Sequence, residues 1–88
     1  MFNAVVMTDM FARTQNVFVY EDGNTVEVLH PTLDDMPNVL MSLNEKYNLE
    51  QISLVGAQKF LVGYQKKIEQ AAVAKYGKNN LNLVIMKK

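Results

Sequence analysis

The 88-residue chain contains no cysteine, which excludes disulfides, zinc–thiolate sites and thiol nucleophiles. It has one arginine, Arg13, although arginine is the usual reader of base edges and the usual bidentate partner of phosphate. Specific nucleic-acid recognition is therefore not expected. No apolar run approaches the ~18–20 residues that a membrane span needs, so no membrane association is expected. The opening stretch Met1-Phe-Asn-Ala-Val-Val-Met7 lacks a basic region and reads as a strand rather than a secretory signal, which points to a cytoplasmic protein. Repeats, low-complexity stretches, linkers, a Gly-rich phosphate loop and a Gly-x-Ser-x-Gly nucleophile motif are all missing.

What is present is ordinary for a globular protein, with 49% hydrophobic and 20% charged residues. The length suits one domain over residues 1–88, since a second would be too small to hold a core. The net charge of zero hides an asymmetry. Residues 1–45 carry seven acids against Arg13 alone, a net −6, and residues 46–88 carry eight lysines against Glu50 and Glu69, a net +6. The lysines never form a run, so two surfaces that attract each other within one fold are favoured over a polyanion-binding stripe.

The strongest local signal is a hairpin. Asn16–Glu21 and Asn24–Leu29 are alternating, β-branched runs separated by Asp22-Gly23, the dipeptide of a type I′ turn. A two-residue loop sets Glu21 opposite Asn24, Val19 opposite Val26 and Val17 opposite Val28. That register gathers the four valines on one face and leaves Phe18, Tyr20, Thr25 and Glu27 on the other. Asn3–Thr8 reads as a preceding strand, with a loop over Asp9–Gln15. Pro31 ends the hairpin. A helix is predicted from Asp35 to Tyr47, with Met36, Leu40, Leu43 and Tyr47 as its apolar stripe and Asp34 or Asp35, rather than Thr32, as its cap. Asn48 suits a left-handed terminator.

Gln51–Val55 reads as a short apolar strand, and Gly56 turns it into a long helix over Ala57–Tyr76 closed by Gly77. Phe60, Leu61, Tyr64, Ile68, Ala71 and Ala72 form its apolar stripe, opposite Lys59, Gly63, Lys66 and Gln70. Asn80–Met86 is the last strand. The expectation is an α/β (α+β) fold with a mixed sheet of about five strands in the order β-β-β-α-β-α-β and two helices packed on it.

This order of elements resembles the ribonuclease H-like fold, and the length and composition are similar to those of small phage or prophage proteins. The first resemblance implies carboxylates holding two divalent metals against a phosphate. Asp9, at the end of the first strand, matches the first of those acids and is the candidate metal ligand. The fourth strand contains no acid, Glu50 stands at its beginning, and the long helix offers only Glu69. One well-placed carboxylate does not hold two metals, so no cofactor and no catalytic residue are assigned.

The remaining candidates are surfaces. Met10 and Phe11 are large apolar residues in a loop, and with Phe18 and Tyr20 they form an interaction surface unless they fold back onto the core. Gly56 opens free N–H groups at the start of the long helix, where Lys59 and, further along, Lys66 offer an anion contact. His30 reads as a strand-end residue, and Asp34 and Asp35 as helix-start residues. The first functional reading is a non-enzymatic interaction protein that docks to itself, as a homodimer, or to another protein. The alternatives are a degenerate metal-dependent nuclease and a weak nucleic-acid accessory acting through the lysine side of the long helix.

Overall fold

A computed structural model of the chain describes residues Met1–Met86. Its elements are β1 (Phe2–Met7), β2 (Asn16–Glu21), β3 (Asn24–Leu29), α1 (Met36–Tyr47), β4 (Gln51–Val55), α2 (Gln58–Tyr76) and β5 (Leu83–Met86). The five strands form one mixed sheet in the spatial order β3-β2-β1-β4-β5, antiparallel at β1–β2 and β2–β3 and parallel at β1–β4 and β4–β5. The class and element order match the expectation from sequence.

Topology decides where the helices lie. β3 runs parallel to β1 and β4, so β3-α1-β4 and β4-α2-β5 are both crossovers between parallel strands, and both step in the same direction across the sheet. Right-handed crossovers that step the same way place their helices on the same face. Burial agrees. Ala4, Val6, Val17, Val19, Ile52 and Leu54 point to one side, and each is at most 1% exposed. They meet Met36, Leu40 and Leu43 of α1 and Leu61, Ile68 and Ala72 of α2 in a single core. The molecule is a two-layer sandwich with helices on one face only.

The hairpin turn has the backbone its residues suggest, with φ of +50° at Asp22 and +85° at Gly23, the two positive values of a type I′ turn. The register past the turn departs from the two-residue-loop reading. Glu21 faces Asn24 and Tyr20 faces Thr25, but a bulge at Val26 shifts the pairing, so Val19 faces Glu27, Phe18 faces Val28 and Val17 faces Leu29. One extra residue exchanges the faces of everything beyond it. Val26 and Val28 therefore do not join the core; they are 44% and 45% exposed. Glu27 moves to the helix side, where its carboxylate accepts hydrogen bonds from the Tyr47 hydroxyl at 2.5 Å and the Lys46 ammonium at 3.0 Å. Those two donors hold the Glu27 carboxyl below its usual range, the tyrosine contributing most.

The helix ends follow local chemistry. Asp35 occupies the cap position of α1 in a helical conformation and makes no side-chain cap bond. The expected aspartate cap is replaced by the Thr32 hydroxyl, which accepts the Asp35 N–H at 3.2 Å. Asn48, at φ +54°, closes α1 with its N–H on the Asn44 carbonyl, and Gly77 closes α2 in the same way on Val73. Part of the charge asymmetry is met within the fold by surface pairs: Lys46 with Glu27, Lys67 with Asp34 and Lys75 with Glu45, each joining a lysine of the second half to an acid of the first. Among the described residues no helix is long and apolar enough to cross a membrane.

Candidate interaction face

The side of the sheet away from the helices carries the surface that stands out chemically. Strand pairing aligns one row across all five strands: Val28 faces Phe18, Phe18 faces Val5, Val5 faces Ser53, and Ser53 faces Val84. Asn3, Tyr20, Thr25 and Gln51 form the next row on one side, and Asn16, Met7, Val55 and Met86 the row on the other. Among the described residues of this face there is no Asp, Glu, Lys or Arg, although 20% of the whole chain is charged. A solvated sheet face ordinarily turns polar and charged residues outward; this one carries uncharged polar residues (Asn3, Thr25, Gln51, Asn16) only in its flanking rows, around a central row of valines and Phe18 with the small Ser53.

Phe18 and Tyr20 sit two residues apart on β2 with their rings stacked, centroids 6.3 Å apart and planes inclined by 28°. Neither is covered by a helix, and both remain partly exposed. Ser53 is only 8% exposed, a small side chain low between its larger neighbours, and it accepts a hydrogen bond from the Gln51 carboxamide. Val5, Val28, Ser53 and Val84 were not singled out from the sequence as surface residues. The bulge hid the position of Val28, and the shared direction of the two crossovers was the signal that would have exposed the other three.

The loop candidates stand elsewhere. Met10 is 51% exposed and Phe11 is 93% exposed, so neither folds back onto the core beneath Phe18 and Tyr20. The loop is organised by Gln15, 1% exposed, whose carboxamide donates to the Asp9 and Ala12 carbonyls and accepts the Asp9 N–H. With those bonds satisfied by a buried side chain, the apolar tip is held out in solvent. Met10 and Phe11 line a cleft of about 320 Å³ at the ends of β1 and β4, together with Thr8, Asp9, Gly56 and Phe60.

Asp9 uses its carboxylate locally, accepting the Phe11 N–H at 2.9 Å in an Asx turn. Among the described residues, no three acidic or imidazole side chains lie close enough together to share a metal ion. Gly56 is required by packing. Thr8 bonds the Val55 carbonyl through its N–H at 2.8 Å and its hydroxyl at 2.9 Å, and a Cβ on Gly56 would stand 2.1 Å from that hydroxyl oxygen. α2 begins at Gln58 with no side-chain cap, and Lys59 and Lys66 are exposed along it. His30 is exposed at the strand end, its Nδ1 2.9 Å from the Asn16 side-chain oxygen. The structure thus brings Asp9, Met10, Phe11 and Gly56 to one end of the sheet and keeps Phe18 and Tyr20 on its open face. Compared with protein families, curated proteins and solved structures, the chain matches none of them.

Proposed function

We propose that this chain is an interaction protein that works by docking a protein partner on the open face of its sheet. The observation that carries the reading is the row Val28–Phe18–Val5–Ser53–Val84, apolar or small throughout and flanked by rows without a charge. Contiguous apolar patches of ~300–600 Å² are the largest that monomers usually expose, and they are commonly functional. Five strands ~4.8 Å apart and four to six residues long present a plane on the order of 400 Å² in all, of which the central row and the Met7, Val55 and Met86 positions beside it are the apolar part. Interface cores are depleted in charge and enriched in aromatics, which is the composition here. Nucleic acid is a poorer fit, because among the described residues the face that carries the stacked rings offers no lysine or arginine to neutralise phosphates.

Site-specific photo-crosslinking in cells tests this. A benzophenone amino acid at position 18 is expected to give one discrete protein adduct, and the same group at position 66, on the exposed side of α2, none. No adduct at position 18, or the same adducts from both positions, overturns the reading.

A further inference from the structure

Resting on that reading, we propose that the docked partner is a second copy of this chain, related by a twofold axis running along β1, so that each Phe18 seats over the other copy's Ser53. Two identical faces that meet must be related by an axis lying in the plane between them. An axis along the strands reverses the order of strands across the sheet. β1 then meets β1, β2 meets β4, and β3 meets β5. In the central row this sets Phe18 against Ser53, Val28 against Val84 and Val5 against itself. The largest side chain of the row falls on the smallest and most recessed, the large-to-small complementarity that packed layers require. An axis across the strands instead sets Phe18 against Phe18 and Ser53 against Ser53, which props the sheets apart at one pair and leaves a gap at the other.

Charge selects the same occupant. A face that carries no charged group among the described residues needs a partner face without them, since an unpaired charge opposite it would be stripped of water with no compensation. This chain carries such a face itself. Its area, roughly doubled in a pair to about 800 Å², falls below the ~1,200 Å² at which stable specific interfaces begin, so the dimer is expected to be weak and to dissociate within a micromolar-to-millimolar dilution series.

The test is sedimentation equilibrium on the full chain, with circular dichroism to confirm folding. Wild-type protein is expected to run at twice its 10.0 kDa mass at high concentration. Val28→Lys and Val84→Glu, on partly exposed edge-strand positions, are each expected to weaken self-association about tenfold or more. Combined in one chain, they are expected to restore it, because the lysine of each copy meets the glutamate of the other. The two positions stand on opposite edges of the sheet, so no pairing within one chain explains a rescue. Val5→Lys, on the axis, places two ammonium groups together and is expected to give a folded monomer. Wild-type protein that stays monomeric at ~1 mM overturns the proposal, as does a double variant weaker than either single one. A monomer whose position 18 still crosslinks to a different protein overturns self-pairing alone; a monomer with no crosslink overturns the docking reading as well.

Discussion

Replacing Gly56 with alanine drives a Cβ to 2.1 Å from the Thr8 hydroxyl oxygen and 3.2 Å from the Thr8 carbonyl oxygen. The first distance is untenable, so Thr8 must rotate, and rotation breaks its hydroxyl bond to the Val55 carbonyl. That loss is worth ~1 kcal/mol. The backbone adds its own cost, since φ at residue 56 is +157°, a value that residues with a side chain rarely adopt, and such strain costs ~1–3 kcal/mol. The sum is about 2–4 kcal/mol, which for a domain of this size lowers Tm by roughly 10–25 °C. Thermal unfolding followed by circular dichroism measures it. A double-mutant cycle isolates the cause. Thr8→Ala alone loses the hydroxyl bond, but once residue 56 is alanine that bond is already gone, so the double variant is expected to melt within a few degrees of Gly56→Ala. Fully additive losses, or a Gly56→Ala variant as stable as wild type, would refute the close approach of β1 and β4 at this point.

Gln15→Ala removes the buried carboxamide that ties Asp9 and Ala12 together, and it leaves the Asp9 N–H and the Ala12 carbonyl without that partner, while the Asp9 carbonyl keeps the Ala12 N–H; a loss of about 2–3 kcal/mol is expected in urea unfolding. Gly23→Val forces a β-branched residue to a φ of +85°, and it is expected to lower the melting temperature. Acidification reports on Glu27. Its folded carboxyl lies below the usual 4.5, so the stability it contributes is present above that pH and lost as pH falls through the lower folded value. Tyr47→Phe removes the largest cause of that depression. The fall in urea midpoint below pH 4.5 is therefore expected to be smaller in the variant than in wild type.

Much of this fold could be read from residue order because its elements are strongly punctuated. Asp22-Gly23, Asn48, Gly56 and Gly77 each mark a boundary through backbone conformations that few other residues tolerate. The apolar stripes of α1 and α2 identified their buried faces, and Leu61, Tyr64, Ile68 and Ala72 are buried as their spacing requires. The register of β3 was not legible. Val26 and Val28 look like inward residues by alternation, and only the tertiary pull of Tyr47 and Lys46 on Glu27, together with a core position for Leu29, favours the bulge. A bulge leaves no mark in an unbroken β-branched run. The part played by Thr32 is not legible either, because Pro37 confines the helix start to its neighbourhood and so points to Asp34 or Asp35, whereas the Thr32 hydroxyl accepts the N–H of Asp35 one turn earlier. The open face of the sheet was half visible. Phe18 and Tyr20 were evident as surplus aromatics, whereas the outward direction of Val5, Ser53 and Val84 follows only once both helices are placed on the opposite face of the sheet.

Methyl NMR with a soluble spin probe tests most directly whether the open face is left bare by its own helices and covered by a second copy. Val5 and Val84 lie on that face, while Val6 and Val17, each 0% exposed, lie beneath the helices. In the Val28→Lys variant, diluted until monomeric, the probe is expected to broaden the Val5 and Val84 methyls and spare those of Val6 and Val17. In concentrated wild-type protein all four are expected to be spared. Val5 and Val84 methyls shielded in both samples would mean that this chain covers the face itself; methyls broadened equally in both would mean that no second copy docks there.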